Sequence, residues 1–166
     1  MHFNSEYIRV LAPKEFANLA APYIKKAIKN EKININAVAS ILQARCEKLE
    51  DIPEKIDFFD NLPEYDTELF INKKSKTDET VSKEMLKVAE QVFTSLPEWK
   101  SETIGDALKC EIEILGVKNA TVMWPIRIAV SGKAVTPGGA VELCEILGRE
   151  ETIKRIAFAI EKLSLK

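Results

Sequence analysis

Apolar residues recur along most of the chain at three- and four-residue intervals, the spacing of one face of an α-helix. Phe16, Leu19, Ala20, Tyr23 and Ile24 keep that spacing after Pro13, which suits a first helical turn, and Pro22 inside the run predicts a kink. Asn36 is placed to cap a second helix carrying Val38, Ile41, Leu42 and Leu49 on one face. Asp51-Ile52-Pro53-Glu54 opens a short third helix ending at Phe58 and Phe59. A long helix follows, marked by Val81, Met85, Leu86, Val92 and Phe93, and stops at Pro97. Ser101 can cap the next, with Gly116 placed to end it. Another runs from about 119 to 130 and contains Pro125. Gly148 separates the last two, the final one turning Ile153, Ile156, Ile160 and Leu163 inward. Ile33-Asn34-Ile35 alternates, but the run is too short to count as a strand. The expected fold class is all-α.

The polar, turn-rich stretch over 60–78 interrupts this pattern. It divides the chain into two consecutive helical subdomains, expected at 1–71 and 72–166. At 166 residues and 18.7 kDa the chain suffices for one domain or two small subdomains sharing a core.

Composition narrows the chemistry. No window approaches the roughly 18 uninterrupted apolar residues of a membrane span. The first residues, His2-Phe3-Asn4-Ser5-Glu6, have neither the basic flank nor the apolar stretch of a signal peptide, so a cytoplasmic location is expected. His2 is the single histidine, which disfavours Ser–His or Cys–His catalysis and multi-imidazole zinc sites. Cys46, Cys110 and Cys144 form no CxxC pair and fit buried thiols in a reducing compartment. The six glycines build no phosphate loop, and the acids of Glu111/Glu113 and Glu150-Glu151 fit solvated helix faces. No catalytic residue, metal ligand set or nucleotide site emerges, and function by binding is expected.

The net charge of −2 and pI near 5.6 argue against coating nucleic acid by bulk electrostatics, but not against a local basic site. Only five of the 24 basic residues are arginines, so an arginine on an apolar stripe needs a reason. Arg45 lies three residues after Leu42 and four after Ile41, on or beside the apolar face; a snorkelling arginine is the plainer reading. The second candidate stretch runs from Trp124 to Ala140. There Arg127 stands amid apolar residues, Thr136 reads as a helix N-cap, Pro137 as the first helical residue, and Gly138-Gly139 leave the backbone bare. Free N–H donors at such a start suit phosphates or base acceptors, though an ordinary turn and capped helix fit the local features equally well.

Motifs at these positions resemble the C-terminal anticodon-binding portion of bacterial glutamyl-tRNA synthetases. Asn4-Ser5-Glu6-Tyr7-Ile8-Arg9 is similar to the opening of that region, and Ala44-Arg45-Cys46 and Ile52-Pro53-Glu54-Lys55 continue the likeness. The most specific part is Trp124-Pro125-Ile126-Arg127-Ile128-Ala129-Val130-Ser131-Gly132, then Thr136-Pro137-Gly138 and Leu147-Gly148-Arg149-Glu150. The family carries a similar Pro-Leu-Arg-x-Ala-Leu-Thr-Gly, a Pro-Gly and a Leu-Gly-Lys-Glu. Residues 70–115 contribute least.

The resemblance implies two helical subdomains caging an anticodon loop, with glutamate tRNA as partner; a monomer is the default expectation, and the lack of a long apolar window leaves no membrane association expected. The resemblance also implies that the catalytic fold of this class I ligase, with the ATP and magnesium it uses, lies outside this chain, leaving no cofactor here. Carried over by position, Arg45 reads the third anticodon base, which separates glutamate from glutamine tRNA. Arg127, Thr136 and Pro137 fall on positions contacting the first two bases. Gly139 stands where the family usually has a larger apolar residue, so packing against a base is lost there or supplied by Ala140 or Val141. Lys109 aligns with a basic position of some relatives and is a candidate phosphate contact, with surface lysine as the plainer reading. The competing expectations are a helical protein-interaction module that binds no RNA, and a small enzyme built on perturbed acids.

Overall fold

Helix starts and stops follow the punctuation residues, with several caps displaced by contacts from distant segments. The computed structural model describes residues 5–165; His2, and Asn4 of the opening motif, lie outside them. The described residues form nine α-helices and no named strand, only a bridge between Asn72 and Thr77. They group into two compact units, Met1–Asn61 with Val135–Gly138, and Leu62–Ala134 with Gly139–Lys166.

The first unit contains α1 (Ser5–Val10), α2 (Pro13–Ala27), α3 (Ile35–Leu42) and α4 (Ile52–Ile56). Pro13 occupies the first turn of α2, where its missing N–H costs nothing, and Pro22 lies inside the helix. Phe16, Ala20 and Ile24, four residues apart, form its buried stripe against α3 and α4. The cap of α3 is Asn34, not Asn36: its side chain accepts from the N–H groups of Asn36 and Ala37 at 2.9 and 3.2 Å. The Ile33-Asn34-Ile35 alternation is thus the lead-in to a helix. After Leu42 the chain tightens into a 3₁₀ turn, Gln43–Arg45, and Gln43 Nε2 donates to the Ile8 and Leu11 carbonyls at 3.1 and 2.8 Å. A 3₁₀ turn over Asp57–Phe59 extends α4 and buries Phe58 and Phe59. The Asp60 carboxylate then accepts from the Lys29 and Asn30 N–H groups beyond α2.

The second unit contains α5 (Glu79–Ser95), α6 (Ser101–Leu115), α7 (Asn119–Ser131), α8 (Ala140–Leu147) and α9 (Arg149–Ser164). Its centre is α7, buried around most of its circumference and packed against the four others. Asp78 caps α5 by accepting from Val81 N at 2.7 Å. Ser101 does not cap α6 but is its first residue: its N–H donates to the Glu145 carboxylate, and Thr103 Oγ1 accepts from Lys100 N at 3.1 Å. Gly116 ends α6 at φ 67° and Gly132 ends α7 at φ 68°. The compact units divide at 61/62, ten residues before the expected 71/72, because 62–71 has its partners downstream. Trp124 Nε1 donates to Leu69 O at 2.9 Å, and Thr77 Oγ1 to Phe70 O at 2.7 Å.

The inward face of α9 holds Thr152, Arg155, Ile156, Ala159 and Leu163, with Ile153 and Ile160 only half-buried. Arg155 is 3% exposed; its Nε donates to Glu151 Oε1 at 2.9 Å and its Nη1 to Val130 O at 2.6 Å, in the last turn of α7. Arg155→Met should lower stability by about 1–3 kcal/mol, since it removes the donor from a buried carbonyl; urea unfolding measures the loss. Two glycine substitutions should act in opposite directions. A Cβ on Gly132 would lie 3.0 Å from Pro63 Cγ and 3.1 Å from Tyr65 Cδ1, at positive φ. Gly132→Ala therefore costs about 1–2 kcal/mol from backbone strain before any clash. A Cβ on Gly105, inside α6, meets nothing within 4 Å, and Gly105→Ala should gain about 0.5–1 kcal/mol. The two urea midpoints should move oppositely.

Candidate anticodon-binding site

In the first unit, the 3₁₀ turn after α3 brings Arg45 to the surface. Because α3 ends at Leu42, the helical spacing that placed Arg45 beside the apolar face does not continue to it. One arm of its guanidinium is tied down: Nη1 donates to Thr136 O at 2.9 Å. The backbone beneath is held too, as Lys55 Nζ donates to Arg45 O at 2.9 Å. Nε and Nη2 have no partner among the described residues, so a planar, exposed fork of donors is presented with one corner fixed. Cys46, directly behind, is buried, and the cost of desolvating its thiolate raises the thiol's pKa, with Lys55 opposing.

Thr136 and Pro137 are buried and precede a helix without belonging to it. Thr136 is not the N-cap; its hydroxyl donates to Gly138 O at 2.6 Å, closing the loop on itself. Helix α8 starts at Ala140 with Gly139 in the cap position, and Glu142 Oε1 accepts from Gly139 N at 3.1 Å. Sequence alone favoured Thr136-Pro137 as the start because both residues suit those places. The Glu142 carboxylate three residues past Gly139 wins by supplying half of a capping box where glycine has no side chain to offer. Gly139 is exposed, at an ordinary φ of −83°.

In the second unit Arg127 is half-buried on α7 and its Nη2 donates to Ala134 O at 2.7 Å. Its guanidinium lies 4.9 Å from the centre of the Trp124 ring, three residues earlier and thus one helical turn away. Trp124 is held by its bond to Leu69 O. Trp124 belongs with the candidate site residues, and its i, i+3 spacing from Arg127 was the available signal. Lys55 carried none, since its partner is the carbonyl of a residue ten positions away. Lys109 is exposed on α6.

Comparison with known proteins shows the family. The family model described as "Anticodon binding domain" matches residues 15–160. The chain belongs to the anticodon-binding domain family. It is 49% identical over 160 residues to a glutamate–tRNA ligase of Clostridium tetani, and 42% identical over 160 residues to that of Clostridium acetobutylicum. In each case 96% of the chain is matched but only 33% of the relative, so the chain spans about a third of those proteins. Among solved structures it is similar to a glutamate tRNA ligase from Elizabethkingia meningosepticum, in complex with its amino acid, at TM-score 0.77 and 26% identity. That match covers 96% of this chain and 31% of the other. The glutamate–tRNA synthetase of Elizabethkingia anophelis gives TM-score 0.71 and 27% identity, over 95% of this chain and 30% of the other.

Among the described residues no three His, Cys, Asp or Glu side chains converge into a cluster that could hold a metal ion. No described helix is long and apolar enough to cross a membrane. Cys46 and Cys144 are buried and Cys110 is exposed; burial pushes the Cys144 thiol up to about 12, against a smaller lowering by a Thr152 hydrogen bond. Both buried thiols should stay protonated and inaccessible at pH 8. Titration of the native chain with a disulfide reagent should label Cys110 alone within minutes, and all three cysteines after unfolding in guanidinium.

Proposed function

We propose that this chain is the anticodon-reading part of a glutamate–tRNA ligase, and that Arg45 distinguishes glutamate from glutamine tRNA at the third anticodon base. The observation carrying the reading is the exposed Arg45 fork, anchored through Nη1 to Thr136 O with Nε and Nη2 free to pair. Cytosine, the third base of glutamate anticodons, offers N3 and O2 as adjacent acceptors, which two guanidinium donors meet together. Guanine, the third base of glutamine anticodons, presents N1–H and N2–H on the same edge, and donor faces donor. Tethering one arm lowers the entropy lost when the others bind. Arg127 on its Trp124 platform, with Thr136, Pro137 and the bare backbone at Gly139, serves the first two bases. Lys109 is assigned a phosphate contact. Glutamate activation, and the ATP and magnesium it needs, belong to the part of the ligase outside this chain.

A bidentate pair contributes about 1–3 kcal/mol to base discrimination, or about 5- to 150-fold in affinity. Wild-type chain should therefore bind a glutamate tRNA transcript more tightly than the same transcript with its third anticodon base changed from C to G. Arg45→Gln should abolish that preference, because an amide carries both a donor and an acceptor. Filter binding of both transcripts to both proteins measures it. Equal wild-type affinity for the two transcripts would refute the discriminating role of Arg45.

A further inference from the structure

Acidic residues slightly outnumber basic ones, 26 to 24, yet they are missing from two stretches that meet in the second unit, 69–77 and 114–124. These stretches carry Lys73, Lys74, Lys76 and Lys118, all exposed. Buried Thr121 joins them, its Oγ1 donating to the carbonyl of buried Ser75 at 2.6 Å. The lysine-bearing loop is braced from within. Asn72 and Thr77 exchange backbone hydrogen bonds of 3.0 and 3.1 Å, and Asn72 Oδ1 accepts from Ser75 N at 2.9 Å. Thr77 Oγ1 secures the loop's far side by its bond to Phe70 O. Within it Lys76 sits at φ 55°, a conformation in which a lysine is uncommon. Lys118 stands just before α7, whose first turn has no side-chain cap. No ion pair among the described residues engages any of the four ammonium groups.

We infer that this braced lysine platform, Lys73, Lys74, Lys76 and Lys118, binds the phosphodiester backbone of the tRNA; this rests on the proposed tRNA binding, not on base reading at Arg45. Four cations with no ion-pair partner among the described residues, three on a braced loop and one at the start of α7, make a local field that a net charge of −2 conceals. The start of α7, with no side-chain cap and with Thr121 of its first turn bonded to Ser75 O, adds N–H donors and partial positive charge beside the loop. Backbone contacts position RNA without selecting sequence, so this site supplies affinity and register while the arginine clusters supply choice.

The test is the salt dependence of binding to glutamate tRNA transcript and to its C-to-G third-base variant, from 50 to 200 mM salt. The chain with all four lysines changed to glutamine is compared with wild type and with the four-arginine variant. Each neutralised phosphate contributes a slope of about 0.7–0.9 in log K against log[salt], so the glutamine variant should lose a slope of about 3. It should weaken both transcripts equally, by at least about tenfold at the lowest salt, with an unchanged far-UV spectrum and thermal midpoint. The arginine variant should retain the wild-type slope. An unchanged slope in the glutamine variant, or no tRNA binding by the wild-type chain at 50 mM salt, would overturn the platform. A slope that falls while wild type shows no preference between transcripts keeps the platform and removes the Arg45 reading. An intact preference with an unchanged slope does the reverse.

Discussion

A helix leaves its last four carbonyl groups without an intrahelical partner, and a chain built from short helices meets that problem every ten or fifteen residues. Long donor side chains answer it here. Arg155 reaches Val130 O in the last turn of α7, and Arg149 reaches Phe93 O in the last turn of α5. Trp99 bonds Cys144 O near the end of α8, and Trp124 bonds Leu69 O in the 3₁₀ turn Thr67–Phe70. Arg45 and Arg127 do the same for loop carbonyls, at Thr136 and Ala134. Four of the five arginines thus donate to the backbone of a segment outside their own helix. Their planar forks can satisfy a carbonyl and still have donors left, which lysine does less well.

The same interaction separates the enclosed arginine from the exposed one. Arg155 is enclosed, with Glu151 and Val130 holding its nitrogens, so its donors are spent on the core. Arg45 gives one nitrogen to Thr136 and keeps a face in solvent. A partly tethered guanidinium meets a ligand already oriented, which is the physical argument behind proposing Arg45, and not the better-bonded Arg155, as the base reader. The lysines divide likewise. Lys55 serves the backbone of Arg45, whereas those of the 73–76 loop stand free on a braced scaffold.

Much of the fold was legible because its signals are local. Pro13 at a first turn, Gly116 and Gly148 at helix ends, and the apolar stripe of α5 act over one or two turns of chain. The candidate site was legible as residue identities, through motifs around Arg45, Arg127 and Thr136-Pro137. The misplaced features share one cause. Asn34 displaced Asn36, Glu145 took the first N–H of α6, and Glu142 moved the start of α8 past Thr136-Pro137. Each cap is a competition between several able side chains, and backbone geometry or a distant carboxylate settles it.

Sequence by itself determined the helical class, the order of the helices, and the family to which the chain belongs, because periodicity, proline and glycine placement, and motif identity are written in neighbouring residues. Only the tertiary structure decided which arginine is buried and which exposed, and that the Val135–Gly138 loop folds with the first unit to hold Arg45. It also decided that two lysine-bearing stretches meet across the Ser75–Thr121 bond. A side chain's spacing says which face of a helix it occupies; whether its charge is spent on a carbonyl or left for a ligand depends on partners tens of residues away.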